Sequence, residues 1–317
     1  MRRRRVLALA GTLVALGAGR PSPAQTDPSQ PLPSSTLSVR TGSGWRIWWS
    51  ADRAPTQWGA DTLVTGLMRW RRAARGVRWA ELPIAGSGEA WRTRVIVARL
   101  DPRQLVLSLD TAFTPSARAD WSLDRVPDDA VFAVNAGQFV EAMPWGWVVL
   151  GGHRFLPPAR GPLAVALVWD SAGDLRWQPA DDVARDPPPG TVWAFESYPV
   201  LLAAGRIPAP LQSQGRGVDL AHRDARLALG RLSSGDLVIA LTRFDAMGES
   251  FGAIPFGLTV PEMAALMGAL GCVDAVLLDG GISAQMLVRD ADGATHAWRG
   301  IRTVPLALVA RERTARR

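Results

Sequence analysis

The stretch GLTVPEMAALMGALGCVDAVLLDGG, residues 257–281, constrains this chain more than any other. Thr259 and Glu262 stand three apart ahead of an apolar run, the spacing of a capping box in which each side chain bonds the other's backbone N–H. Pro261 is tolerated in a first helical turn. Met263, Leu266, Met267 and Leu270 recur at helical spacing, and Gly271 fits the stop. DAVLL then reads as a strand, which completes a strand–helix–strand unit and predicts a crossover with parallel neighbours. Ligands of such sheets bind beyond the carboxyl ends of strands. Asp279 is the first residue past such an end, followed by Gly280, Gly281 and, two further on, Ser283. The two glycines permit a sharp turn and leave main-chain N–H groups open to an anion. The plainer reading is a DG turn that merely ends a strand.

Upstream, VRWAELP, TRVIVARL and LVLSLD read as three strands, and DAVFAVNAGQF as a buried strand entering a glycine turn at Asn135-Ala136-Gly137. Hairpins are predicted over Leu163 to Trp177, turning at Ser171 to Asp174, and in ARLALGRLSSGDLVIALTRF, turning at Ser233 to Asp236. DPPPG at 186–190 is a loop. Residues 60–75 read as a helix ending near Gly76, with Leu63, Leu67 and Trp70 on one stripe, and a Trp-rich strand pattern runs from Val39 to Ser50. These elements predict a mixed α/β fold, α+β in detail: a central mixed sheet of strands and hairpins flanked by a few helices, in a single catalytic-type domain.

The chain has 317 residues, 47% of them hydrophobic, enough for a full core. Arg2 to Arg5, the apolar run Val6 to Ala18 and Ser22-Pro23-Ala24 have the pattern of a secretory signal peptide, with the arginine pair also compatible with twin-arginine export. The apolar run is shorter than the roughly 20 residues of a membrane helix, so no stable span is expected after cleavage; an uncleaved anchor is the plainer rival. The expected location is periplasmic or extracellular. The chain divides into a signal peptide (1–24), a Pro/Ser/Gln-rich linker (25–38), an N-terminal extension (39–75), the main domain (76–311) and a basic tail (312–317).

The formal charge of +7 is concentrated at the two ends, which leaves the body near neutral. A basic fold surface for nucleic acid is therefore not indicated. Every basic residue is arginine, which excludes a P-loop lysine and Schiff-base chemistry. Cys272 is the only cysteine, at an apolar helix–strand junction where burial is expected. His153, His222 and His296 are widely spaced, and neither a zinc pattern nor a GxSxG elbow occurs. The pattern asks for no metal and no cofactor.

Four further places could carry chemistry. Asn135, the only asparagine, ends a buried strand, and its amide could bond sugar hydroxyls or phosphate oxygens; a turn former is the plain alternative. Arg226 shares a strand face with Ala228 and Gly230, so it could sit in a pocket, or else be a solvated edge arginine. In ESYP, Glu196 could be a second carboxylate and Ser197 a substrate contact, or both could be ordinary loop residues. Fourteen tryptophans suit sugar stacking or core filling; Trp145 and Trp147, just after the Asn135 turn, are left open between the two.

The order of these motifs is more specific than any one of them. NAGQF is followed by SYPVLLAAG, then RLALGRLSSGD, then GLT with its acid-capped helix, LG, and LDGGIS. Over about residues 76–311 this series resembles the phosphodiester glycosidase family, whose best-known member removes N-acetylglucosamine from a phosphodiester and whose bacterial relatives are described as exopolysaccharide-associated. The resemblance points to Asn135, Gly137, Arg226, Asp279, Gly280, Gly281 and Ser283 as site residues. Ile282 stands where the family usually has a third glycine, Ala284 where it has a small polar residue, and Gln138 where it has an aromatic.

The resemblance implies hydrolysis of a sugar-1-phosphodiester at the anomeric C–O bond. Asp279 would be nucleophile, base or oxocarbenium stabiliser. Arg226 and the amides of Gly280 and Gly281 would hold phosphate charge. Asn135 and Ser283 would orient oxygens, with Glu196 as partner carboxylate. The partner implied is a carbohydrate or sugar phosphate. Two rivals stand: a non-catalytic binder of envelope polysaccharide, motivated by Ile282 and Ala284, and a metal-dependent phosphodiesterase cutting P–O with Asp245 and Glu249 near Arg226.

Overall fold

Apolar residues on both faces of the same strands set the architecture. In the Leu227–Leu232 strand, Leu227 and Leu229 enter one core and Ala228 another. The same split runs along Thr93–Leu100, Leu237–Phe244 and Cys272–Leu278. Strands with two buried faces need a layer on each side. The computed structural model, which describes residues 34–112, 121–213, 218–245 and 252–314, has that form.

The central sheet runs Val200–Leu202, Cys272–Leu278, Leu227–Leu232, Leu237–Phe244, Thr93–Leu100, Val77–Gly86, Thr36–Thr41, Gly44–Ser50, with Arg71–Arg72 also paired to Val77–Gly86. The helices Val260–Ala269 and Thr62–Leu67 pack on one face. Two five-stranded sheets pack on the other. One contains Ala130–Asn135 and Met286–Arg289, the other Thr191–Ser197. The chain is a single α/β domain with a central multi-stranded sheet flanked by helices, as its element pattern predicts.

The crossover differs from expectation in one respect. Each ladder among the described strands is antiparallel. Leu237–Phe244 and Cys272–Leu278 do run parallel to each other, but Leu227–Leu232 lies between them and pairs with both. The tight turn at 233–236 holds the first two strands together as a hairpin, so the helix must carry the chain across to the hairpin's far side. The capping box forms as read, with Thr259 and Glu262 bonding each other's backbone. The helix is buried all round rather than along one stripe. The small face of Leu227–Leu232 explains how it fits. A Cβ on Gly230 would stand 2.6 Å from the Cys272 sulfur and 2.8 Å from Met267 Cε. Ala228 and Gly230 are therefore small to admit the helix, not to line a ligand pocket beside Arg226. Cys272 is buried, and burial pushes its thiol pKa up.

Both hairpins and the strands over 77–111 form where expected. The N-terminal elements do not. The helix read over 60–75 is only Thr62–Leu67, capped by the Asp61 side chain. Beyond it the chain extends, because Arg71 stacks on Trp79 and Trp70 receives Arg78, contacts a continued helix would break. Trp70 is accordingly exposed rather than on a buried stripe. The strand read from Val39 to Ser50 is a hairpin, Thr36–Thr41 with Gly44–Ser50, because Gly44 takes a φ of +119° at the turn. The segment read as an extension thus adds strands to the central sheet, and the first begins at Thr36, inside the stretch read as linker. The signal-peptide reading and the rest of the linker fall outside the described residues, as do Arg316 and Arg317. No helix among the described residues is long and apolar enough to cross a membrane.

Replacing Gly230 with valine would force the helix off the sheet. The expected loss is about 2 kcal/mol, the range for overpacking a tight core, read as a lower urea midpoint with an unchanged slope.

Candidate functional site

Asp279 leaves the carboxyl end of the Cys272–Leu278 strand, and its N–H donates to the Gly137 carbonyl at 2.8 Å. Asn135, fully buried, holds both sides of the turn that follows. Its Nδ2 donates to the Asp279 carbonyl at 2.8 Å, and its Oδ1 accepts from the Gln285 N–H at 2.9 Å. Its amide is thus engaged with backbone, which makes it a clasp for the Asp279 turn. Gly137, two residues after Asn135, takes a φ of +68°.

Gly280 and Gly281 are required by close approach rather than by anion binding. A Cβ on Gly280 would stand 2.5 Å from the Ala225 carbonyl oxygen. A Cβ on Gly281, which has a φ of +58°, would stand 3.0 Å from an Asp224 carboxylate oxygen. The Gly281 N–H donates to the Ala225 carbonyl at 2.7 Å, so it is not open to an anion as expected; the Gly280 N–H has no partner among the described residues. Gly281–Ser283 forms one 3-10 turn with Ser283 buried. Ile282 keeps an ordinary backbone conformation, so a third glycine is not needed there, and its side chain is 39% exposed.

A second segment locks onto this turn. The N–H groups of Ile301 and Arg302 both donate to the Ile282 carbonyl. Arg243, buried, donates through Nη2 to the carbonyls of Ala284, Trp298 and Arg299 at 2.8–3.0 Å. It ties the turn to the loop that carries Arg302. Arg302 lies over the Phe139 ring and donates to the Glu141 carbonyl, where Glu141 holds a φ of +57°.

Burial pushes the Asp279 carboxyl pKa up to about 6; the Ser283 side chain and Arg302 oppose the shift, and the Asp224 charge adds to it. One Asp279 oxygen, Oδ2, is buried with no partner among the described residues. Asp224 is held by reciprocal backbone bonds to Leu258, at 3.2 and 3.0 Å. Burial raises its pKa too, against the charges of Arg226 and His222, and its Oδ1 is likewise without a partner among the described residues. Arg226 donates through Nε to the Leu258 carbonyl and through Nη2 to the His222 carbonyl. It supports the Asp224 segment and reaches the site through it.

The structure therefore sets Asn135 and Gly137 against the turn of Asp279, Gly280, Gly281 and Ser283, with Arg226 on another segment packed against that turn. Glu196 and Ser197 end the adjoining Thr191–Ser197 strand, where the Glu196 carbonyl lies against Gly137. Glu196 is buried, accepting from the Trp147 and Ala159 N–H groups at 2.7 and 2.8 Å. Burial raises its pKa, and Asp279 is not among the groups that perturb it. Strand alternation sends it to the face opposite Phe195 and Ser197. The Ser197 hydroxyl donates to the Leu277 carbonyl, a link between two strands. Trp147 is core, whereas Trp145 packs against the exposed Tyr198 with ring centroids 4.5 Å apart. Gln138, in place of the family's usual aromatic, bridges them: it accepts from the Trp145 N–H and donates to the Tyr198 carbonyl. Asp245 lies near Arg94, and Glu249 falls outside the described residues.

Three residues escaped sequence reasoning. Asp224 stands two before Arg226, and its position in the same motif was the available signal. Arg243 and Arg302 reach the site by tertiary packing and carried none.

Residues 128–311 match the family described as phosphodiester glycosidase. Two solved structures are similar in fold. One is the zebrafish N-acetylglucosamine-1-phosphodiester alpha-N-acetylglucosaminidase catalytic domain auto-inhibited by its pro-peptide, at 15% identity and a TM-score of 0.56, covering 82% of this chain and 96% of that one. The other is a hypothetical protein from Synechocystis, at 16% identity and a TM-score of 0.51, covering 88% of this chain and 68% of that one. No protein of curated function matches the chain.

Exchanging Asn135 for alanine would strip partners from the Asp279 carbonyl and the Gln285 N–H. A stability loss of about 2 kcal/mol is expected from the unpaired buried groups, measured by urea unfolding.

Proposed function

Because the chain belongs to the phosphodiester glycosidase family, with more than half its length in the match, we propose that it hydrolyses a sugar-1-phosphodiester at the anomeric C–O bond. The observation that carries this reading is the buried Asp279 carboxylate, with its pKa raised by burial, one oxygen without a partner among the described residues, and the charge of Arg302 acting on it. A phosphate ester is already a good leaving group, so strong acid assistance is less needed than for an ordinary glycoside. The chemistry asks mainly for a carboxylate beside the developing positive charge at C1 and for cationic and N–H donors beside the phosphate. Asp279 supplies the first. Arg302 and the Gly280 N–H supply the second.

The supporting residues fix these groups in place. Asn135, Gly137 and Arg243 hold the turn, and Arg226 holds the Asp224 segment beside it. Ser283 stands against Asp279 and favours its ionised form. The Trp145–Tyr198 pair, tied through Gln138 to the Gly137 turn, offers an aromatic face to a sugar ring. An N-acetylglucosamine-type sugar is the first candidate, in keeping with the zebrafish relative's name. The arginine-rich, apolar leader supports action outside the cytoplasm, on envelope or exopolysaccharide material.

Asp279→Asn is expected to lower kcat on a UDP-sugar or nitrophenyl-type sugar phosphodiester by about 1000-fold, a magnitude within reach of losing a positioned carboxylate. Undiminished turnover in the folded variant would sink the assignment. Polysaccharide binding by the wild type with no turnover would favour the non-catalytic alternative.

The pH dependence has a definite sign. The reactive form is the carboxylate, so activity rises with pH through about 6 and then levels off. Stability moves the other way. The folded-state pKa lies above the ordinary aspartate value of 3.8, so the folded state holds the extra proton and loses stability as pH rises from about 4 to 6. Asp279→Asn removes that loss. The variant should match the wild type near pH 4 and exceed it at pH 7, in urea titrations at both values.

A further inference from the structure

We propose that Asp224 is the second catalytic carboxylate of this site, the base that takes the proton from the attacking water. The proposal rests on the hydrolytic reading above and supplies the partner that Glu196 does not.

Four observations place Asp224 at the reacting end of the turn. Its carboxylate lies directly over Gly281, where an added Cβ would meet both of its oxygens at 3.0 and 3.2 Å. Its charge is felt at Asp279. Asp224 Oδ1 and Asp279 Oδ2 are both buried and unpartnered among the described residues, so two carboxylate oxygens at one site await a hydrogen-bond donor. The Asp224 backbone is fixed by the Leu258 bridge, and a Cβ on Gly257 would stand 2.5 Å from the Asp224 carbonyl oxygen, so the segment cannot swing away. An orphaned buried oxygen costs stability, and a donor water between the two carboxylates would satisfy both.

The surroundings divide the roles. Asp224 faces Arg226 and His222, whose Nε2 lies 3.8 Å from Asp224 Oδ2. His222 is exposed, so it offers a route by which the proton leaves to solvent. Asp279 faces Ser283 and Arg302. In the step, the water oxygen forms a bond to C1 as the C1–O bond to phosphate breaks. The electron pair of that bond leaves with the phosphate monoester. One water proton passes to Asp224, and Asp279 remains ionised beside the positive charge at C1. The products are the free sugar and a phosphate monoester, and Asp224 then returns its proton to solvent.

The test uses the full exported chain with a UDP-sugar or nitrophenyl-type sugar phosphodiester. Asp224→Asn should lower kcat by about 100- to 1000-fold, the range for a positioned general base, with KM changed only a few-fold. Added formate or azide should partly restore turnover in Asp224→Ala. An activity-independent reading comes from carboxyl 13C NMR. The Asp279 midpoint, near 6 in the wild type, should move down in Asp224→Asn, because a like charge has been removed. Wild-type kcat in Asp224→Asn, or an unmoved Asp279 midpoint, would overturn the proposal. If Asp224→Asn is fully active while Asp279→Asn is dead, only the Asp224 assignment fails. If Asp279→Asn retains activity, or the wild type releases no sugar, the hydrolytic reading fails and this one with it.

Discussion

Three backbone segments lie against one another with no room for side chains between them, and the site depends on that contact. Gly257 packs on the Asp224 carbonyl, and Gly280 packs on the Ala225 carbonyl, each at a distance where a Cβ would collide. The bonds from the Gly281 N–H to Ala225 and between Asp224 and Leu258 close the stack. With side chains in place of these glycines, Asp279 would still end its strand, but the Asp224–Arg226 segment would be pushed off the turn. Outside the stack, Asn135 and Arg243 fasten the turn to the Ala130–Asn135 strand and to the Arg302 loop.

Close packing sets the electrostatics. It removes water from Asp279 and Asp224 together, and desolvation is the largest cause of the raised pKa at both. Two carboxylates alone would repel a phosphodiester. The charge of Arg302 acts on Asp279 and that of Arg226 on Asp224, and both guanidinium groups are held by main-chain carbonyls. In the proposed reaction these charges would let an anionic substrate sit beside the two carboxylates.

Local signals were the legible part. The capping box, the glycine stop, the hairpin turns and the strand ending at Leu278 are determined by residues near in sequence, and they formed as read. Asp279 and its glycines were found because a strand end and a turn are both local features. What was not legible depends on contacts distant in the chain. The helix expected over 60–75 stops early because arginine–tryptophan stacking wins over helical propensity. Glu196 looked like a partner carboxylate until strand alternation turned it to the opposite face. Asn135 and Ser197 looked like substrate contacts, yet their side chains bond backbone. Arg302 lies on a loop tied to the site by carbonyl bonds from residues distant in the chain. The substitution at Ile282, which motivated the non-catalytic rival, turns out to be a partly exposed residue with ordinary backbone geometry.

The bond that breaks is the most direct test of this account. Hydrolysis of a sugar-1-phosphodiester in 18O-labelled water, followed by mass analysis of both products, reports it without assumptions about which residue acts. The account predicts the label in the hydroxyl at C1 of the released sugar and none in the phosphate monoester. Label in the phosphate, with sugar phosphate as the released product, would mean P–O cleavage and would contradict it.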